Sequence, residues 1–225
     1  MIIAIDGPAG SGKSSTAKAV AKKLGFRHLD SGAFYRAITL AALQRAIPAE
    51  GWRDLDAESL AELQVSAEPA NQGFLFRIAG EDVTNEIRSP EVNAHVSRMA
   101  AVPAVREWLL GRLRAVGEKS SVVSDGRDIG TVVFPTADLK IFLVARPEVR
   151  ARRRLAQMGA ATPSDTELAK EIDRLIQRDK LDSERATAPL KKADDAIVLD
   201  TSELSFTEQV QRIVELANRL RDAQA

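Results

Sequence analysis

The residues best placed to do chemistry stand at the start of the chain, in the run Gly7-Pro8-Ala9-Gly10-Ser11-Gly12-Lys13-Ser14. Their spacing is G-x-x-x-x-G-K-[ST], the pattern of a loop that cradles phosphates. Glycines at 7, 10 and 12 let the backbone curl so that successive N–H groups face phosphate oxygens, and the helix that follows adds the positive end of its dipole. Lys13 is then set to reach the β- and γ-phosphates of a nucleoside triphosphate, with the Ser14 hydroxyl as a ligand of Mg²⁺. Gly7, Pro8, Ala9, Gly10, Ser11, Gly12, Lys13, Ser14 and Ser15 together make the triphosphate side of the expected site. Context supports the spacing: Ile2 to Ile5 reads as a buried strand before the loop, and Ser14 to Leu24 as a helix after it.

Arginine is the second concentration of chemistry. Arg146, Arg150, Arg152, Arg153 and Arg154 crowd one helical stretch, and Arg178 and Arg185 fall in the next. Glu148 can pair with Arg152 at i,i+4 as on a solvated face, but an ordinary exposed face mixes in more lysine and glutamate. Planar bidentate donors suit phosphate oxygens and the charge spread over a transferring phosphoryl group. The stretch is therefore expected to be a lid that closes over phosphates. No carboxylate base stands out, as it would for transfer to an alcohol. A phosphate acceptor needs none, because its second pKa of about 6 leaves it largely ionised at neutral pH. A GTPase lacks support without an N-K-x-D motif, and an ABC-type ATPase without L-S-G-G-Q.

These side chains need an edge on which to converge. Gly25 reads as the cap of the first helix. Phe26 to Leu29 reads as a second strand leading into Asp30-Ser31-Gly32, and Ala33 to Ala46 as a helix ended by Pro48 and Gly51. After a short helix over Asp56 to Gln64, the alternation of Phe74, Phe76 and Ile78 predicts a strand. A turn at 79–82 and an extended piece from Val83 complete a small antiparallel insert. Helices are predicted over Pro90 to Met99 and Pro103 to Val116, with Trp108 in the core. Strands follow over Ser120 to Ser124, Leu139 to Ala145 and Ala196 to Leu199. A helical region from Pro147 to Arg185 is broken at 159–163; a helix from Thr207 to Arg221 closes the chain, and the last residues are expected to fray. The pattern is α/β, a parallel sheet flanked by helices. Ligands of such sheets bind outside the carboxyl ends of the strands, where the loop, Asp30-Ser31-Gly32, Asp125-Gly126-Arg127-Asp128 and the arginine stretch all fall.

Bulk properties narrow the field. The 225 residues allow one large domain or a core with insertions. The 32 basic and 32 acidic side chains cancel, so there is no global field of the kind nucleic-acid binding uses. Cysteine is absent, which excludes disulfides, thiol catalysis and cysteine-based zinc sites. The chain opens directly on a strand-like run with no bilayer-length apolar segment, so the expectation is a cytoplasmic protein, monomeric, with no membrane or nucleic-acid partner.

The motifs also resemble those of the bacterial cytidylate kinases, over nearly the whole chain. The matching stretches are Ile5-Asp6 with the loop through Ser14, Leu29 to Ala33 with Tyr35-Arg36, Gly80 to Val83 with Ile87-Arg88, and the run from Asp125 to Pro135. Arg178-Asp179, Asp182-Ser183 and Arg185 with Ala188-Pro189-Leu190 complete the match. The resemblance implies a nucleoside-monophosphate-kinase fold with a five-stranded parallel core over 1–35, 112–146 and 189–225. It also implies a monophosphate-binding domain over 36–111 carrying the β-insert, and a lid over 147–188. The implied activity is ATP-dependent phosphorylation of CMP and dCMP, with Mg²⁺ and with Lys13, Arg127 and Arg185 as catalytic residues. Ser97, Arg106 and Asp128 are the implied readers of cytosine: a carboxylate accepts from its 4-amino group, which uracil lacks. Arg36, Arg127 and Arg185 are the implied acceptor-phosphate ligands, Arg178 and Asp182 the sugar contacts, and Ser31 also falls on the CMP side. Arg150, Arg153 and Arg154 are the implied lid contacts to ATP. Leu181 departs from the resemblance, standing where some relatives carry a charge. Asp6 and Asp125 are alternatives for the carboxylate that organises Mg²⁺, a structural role for Asp6 remaining open. The rival readings are a thymidylate, adenylate or shikimate kinase on the same fold, or a non-catalytic nucleotide-dependent switch.

Overall fold

The computed structural model describes residues 1–224 apart from 72 and 161. β1 (Ile2–Asp6) is buried from Ile3 onward, as a strand inside a parallel sheet must be. Across the glycine loop comes α1 (Lys13–Leu24), which ends at Gly25 with a φ of 69°, the left-handed cap the sequence predicts. β2 (Arg27–Asp30) passes straight into α2 (Ser31–Gln44), because the Asp30 side chain accepts from the Ala33 N–H and caps the helix two residues earlier than expected. Then come α3 (Ala57–Glu62), β3 (Val65–Ala70), β4 (Gly73–Ile78), β5 (Glu81–Asp82), α4 (Pro90–Met99) and α5 (Pro103–Lys119). The last third holds β6 (Val122–Gly126), β7 (Leu139–Val144), α6 (Pro147–Gln157), α7 (Asp165–Glu184), β8 (Ile197–Asp200) and α8 (Phe206–Gln224).

The five long-range strands form one parallel sheet in the order β2-β6-β1-β7-β8. The chain passes from β6 to β7 across β1, so the crevice at the carboxyl end of β1 is where connections diverge, the ordinary ligand position in such sheets. One face packs Ile3, Ile5 and Leu143 against Val20 of α1 and Val210 and Ile213 of α8. The other packs Leu29 and Ala4 against Phe34 and Ile38 of α2 and Leu109 of α5. Gly7 shows why the loop begins with glycine: its φ is 148°, and a Cβ there would lie 2.1 Å from the Leu143 carbonyl oxygen.

The antiparallel insert is present as β3-β4-β5. Its first strand is not predicted, since it carries Pro69 and Val65 is its one β-branched or aromatic residue; as an edge strand it tolerates a residue that donates no hydrogen bond. The buried tryptophan is Trp52, whose indole N–H donates to the Ile47 carbonyl at 3.1 Å. Trp108 instead packs against the core from its rim, with the Arg112 guanidinium 3.3 Å from its ring centroid. The expected helix break lies between α6 and α7, and α7 starts under a capping box of Ser164 and Glu167. Ala161 of that break and Ala225 of the expected frayed end lie outside the described residues.

Candidate active site

The loop is held from both sides. Lys13 is buried, and its ammonium donates to the Pro8 carbonyl at 2.6 Å. Burial pushes its pKa well below the ordinary lysine value, the Arg127 charge adding to the effect. The Ala9 N–H donates to Asp179 Oδ1 at 2.7 Å, the Ala9 carbonyl accepts from Arg150 at 2.8 Å, and Arg150 closes the triangle on Asp179 Oδ2 at 2.5 Å. Arg150 thus stands behind the loop, clamping it to α6 and α7, and not in the cavity the loop lines.

That cavity measures about 700 Å³. Seven cationic side chains line it, Lys13, Arg36, Arg88, Arg127, Arg153, Arg154 and Arg178, against two carboxylates, Asp30 and Asp125. So positive a wall, in so buried a place, suits a polyanion. Burial, reinforced by Arg127, pushes Arg178 down to about 9, and burial pushes Arg36 down to about 10, so both stay charged at neutral pH yet gain from any anion that arrives. Arg153 is braced by Thr201, donating to its hydroxyl at 2.9 Å and its carbonyl at 2.7 Å. Of the predicted loop residues Ala9, Gly10, Gly12, Lys13, Ser14 and Ser15 face this space, while Gly7, Pro8 and Ser11 support it from outside the lining.

A smaller cavity of about 60 Å³ adjoins it, lined by Ser31, Tyr35, Ser97, Asp128, Asp182 and Arg185, and it shares Arg36, Arg127 and Arg178 with the larger one. Asp128 is held by Arg106 on one oxygen and by Arg185 at 3.1 Å on the other. Arg106 itself lies behind Asp128, donating also to the Ala100 carbonyl at 3.0 Å and stacking over Tyr35. Arg127 donates to Asp182 at 2.7 Å. Burial alone would raise the Asp182 carboxyl, but Arg127 and Arg178 outweigh it and hold it below the usual range. Ser31 reaches the lining, although its hydroxyl is committed to the Asp125 carbonyl at 2.8 Å. Leu181 is 64% exposed and outside both linings.

The two candidate carboxylates for a metal separate clearly. Asp6 turns to the backbone that follows β6 and accepts from Ile129 N at 2.8 Å and Gly130 N at 2.7 Å. Burial raises its carboxyl to about 6, even though those two N–H groups pull the other way. Asp125 instead accepts from the Ser14 hydroxyl at 2.5 Å and lies 2.7 Å from His28 Nε2. Three residues join the site without a role having been read from the sequence. Arg88, paired with Asp30 at 2.8 Å, and Asp179 both fall in the stretches that carried the resemblance. His28 had no signal, as a lone histidine on a short strand is brought to Asp125 only by the pairing of β2 with β6.

A parallel sheet with a phosphate loop at the end of β1 and an arginine-lined cavity over it defines a P-loop phosphotransferase. The comparisons with known proteins are narrower. The family model described as cytidylate kinase matches residues 3–219. The chain is 50% identical to the cytidylate kinase of Geobacillus sp. (strain WCH70), covering 96% of both chains, and 46% identical to that of Chloroherpeton thalassium, covering 96% of this chain and 93% of the other. An uncharacterised protein from Eubacterium ventriosum shares the fold alone, at a TM-score of 0.54 and 14% identity over 97% of this chain and 98% of its own. The chain belongs to the cytidylate kinase family.

Proposed function

We propose that this protein transfers the γ-phosphoryl group of ATP to the phosphate of CMP or dCMP, yielding CDP or dCDP and ADP. The observation that supports this best is the shared wall: Arg36, Arg127 and Arg178 border both the loop-lined cavity and the small cavity that contains Asp128. A donor on one side and an acceptor phosphate on the other meet across those guanidinium groups. An acceptor oxygen attacks the γ-phosphorus, the bond to the β–γ bridging oxygen breaks, and ADP leaves with that electron pair. No protein base is needed, since the attacking oxygen is already ionised. Lys13, Arg127 and Arg185 act by position and charge. Asp128, with Arg106 fixing it from behind and Ser97 alongside, reads the cytosine amine, and Asp182 and Arg178 hold the sugar. Arg153 and Arg154 face the triphosphate, and Arg150 serves it by holding the loop.

The residues present fit Mg²⁺. Ser14 donates its proton to Asp125, which leaves hydroxyl lone pairs for a hard cation and a carboxylate beside it. Among the described residues no cluster of three or more His, Asp or Glu side chains forms a closed cage, in keeping with an ion that takes one or two protein oxygens and completes its shell with phosphates and water. When bound, it neutralises charge building on the β- and γ-oxygens.

We take residues 36–111 as the acceptor-binding unit, 147–188 as the lid, and 1–35, 112–146 and 189–225 as the core. The small cavity, at about 60 Å³, is well below the size of an ordinary ligand pocket, so closing and opening of these units belongs to the cycle. We also take the protein as a cytoplasmic monomer acting on small molecules, with neither nucleic acid nor membrane as partner; no helix of the described residues is long and apolar enough to cross a membrane. The test is ADP release from Mg-ATP with CMP, dCMP, UMP, AMP, dTMP and GMP offered singly. Turnover is expected with CMP and dCMP and far less with UMP; equal turnover with UMP or dTMP would remove the base-reading role of Asp128.

A further inference from the structure

The larger cavity's Ser14 heads a chain of three side chains that runs away from the phosphates through the buried Asp125 to the half-buried His28. Ser14 Oγ donates to Asp125 Oδ2 at 2.5 Å, and Asp125 Oδ1 lies 2.7 Å from His28 Nε2. Neither end of this carboxylate is solvated: Asp125 is 2% exposed, and the His28 side chain 11%. The pairing of Leu29 with Ser124 and Asp30 with Asp125 places His28 just below Asp125 on the same side of the sheet, under α1. A carboxylate rotates about its last torsion with little resistance. Here one oxygen is pinned by a ring N–H from a rigid strand, and the other is thereby aimed at Ser14. Ligand hydroxyls and carboxylates are oriented in this way by partners that never touch the ion.

We propose that His28 is a positioning residue for the metal-nucleotide half of the site: its Nε2–H fixes Asp125, and Asp125 in turn fixes the Ser14 hydroxyl toward Mg²⁺. The inference rests on the phosphotransfer reading above. Leucine at position 28 would leave Asp125 Oδ1 buried with no donor, so the carboxylate would turn and the Ser14 oxygen would lose its orientation. Glutamine keeps an N–H at the reach of Nε2 and should preserve the chain.

The experiment compares wild type with His28→Leu and His28→Gln in two readouts. ATP affinity is measured by calorimetry with Mg²⁺ and again with EDTA, and turnover is followed across a Mg²⁺ titration at saturating CMP. His28→Leu should lower the affinity for Mg-ATP, and raise the Mg²⁺ needed for half-maximal turnover, by roughly tenfold. Metal-free ATP affinity and the KM for CMP should stay as in wild type, and His28→Gln should recover most of the loss. Should the leucine variant fail to fold, His28→Asn, polar but too short to reach Asp125, carries the same comparison. A wild-type ratio of Mg-ATP to metal-free affinity in the Leu or Asn variant overturns the proposal. So does a glutamine variant as impaired as leucine, which would assign the effect to ring packing. Absence of turnover in the wild type with any acceptor would count against the phosphotransfer reading, while the calorimetric ratio would still judge His28.

Discussion

Lys13 and Asp128 are both buried charges whose partners are on the protein itself, so each must exchange a partner when substrate binds. Lys13 donates to the Pro8 carbonyl, and burial, with the Arg127 charge adding, depresses its pKa, so its charged form gains from an anion placed at the ammonium. A γ-phosphate supplies that anion, and most of its value comes at the transition state. Lys13→Ala is expected to cut kcat by about a thousandfold or more while thermal unfolding stays cooperative; a variant with near-normal turnover would remove Lys13 from the mechanism. Asp128→Asn keeps the size of the side chain but turns one acceptor into a donor. It should raise the KM for CMP and narrow the CMP-over-UMP preference by about tenfold, roughly 1.4 kcal/mol of discrimination. An unchanged ratio of kcat/KM values would take the base contact away from Asp128. The loop was legible in the sequence because all its parts are local: eight adjacent residues contain the pattern, and only a strand and a helix are needed around them. The mutual hold of Arg106, Asp128 and Arg185 was not, since its members are 22 and 57 residues apart and nothing in either neighbourhood fixes the distance.

Helices α6 and α7 do more than carry arginines into the cavity. Sequence periodicity placed both, and their charge pointed to phosphate, but periodicity does not say which arginines turn inward to the ligand and which turn to the loop. The structure divides them: Arg153, Arg154 and Arg178 face the cavity, while Arg150 and Asp179 bind the Ala9 backbone from behind. That division depends on how the two helices pack together and onto Ala9 through Ala151 and Leu175. The clamp ties α6 and α7 to the conformation of the phosphate loop itself, so its loss should be felt by ATP before CMP. Asp179→Ala removes one corner and leaves Arg150 buried without its carboxylate. The expected result is a KM for ATP raised about tenfold with the KM for CMP within a factor of two, read from initial rates with each substrate varied in turn. Equal weakening of both substrates would mean that the clamp supports α6 and α7 as a whole and not the loop. The strand β3 went unread for the opposite reason, a proline-bearing stretch with one β-branched residue being held extended by its pairing to β4.

At the scale of the molecule, the buried carboxylates that build the site pull stability in opposite directions as pH changes. Asp30 and Asp182 are held below the usual carboxylate range despite their burial, by Arg88 and His28 in the first case and by Arg127 and Arg178 in the second. Their contributions are complete above the unfolded carboxylate pKa and are lost as acid titrates them in the folded state. Asp6 works the other way. Its folded value of about 6 lies above the ordinary 3.8, so between those values the folded protein binds the extra proton and is favoured by acid. The difference corresponds to about 2 kcal/mol gained between neutral pH and pH 4, ahead of the loss from Asp30 and Asp182 that sets in as the pH falls below about 4. Asp6→Asn deletes that counterweight. It also faces an amide N–H₂ toward Ile129 or Gly130, a constant penalty of about 1–3 kcal/mol that does not change with pH. The slope is therefore the readout. Urea unfolding at intervals from pH 7 to pH 3 should show stability falling more steeply between pH 7 and pH 4 in Asp6→Asn than in wild type, and falling less steeply below pH 4 in Asp182→Asn. Parallel curves for Asp6→Asn and wild type would mean that Asp6 titrates alike folded and unfolded, and that its two backbone hydrogen bonds balance its burial in full.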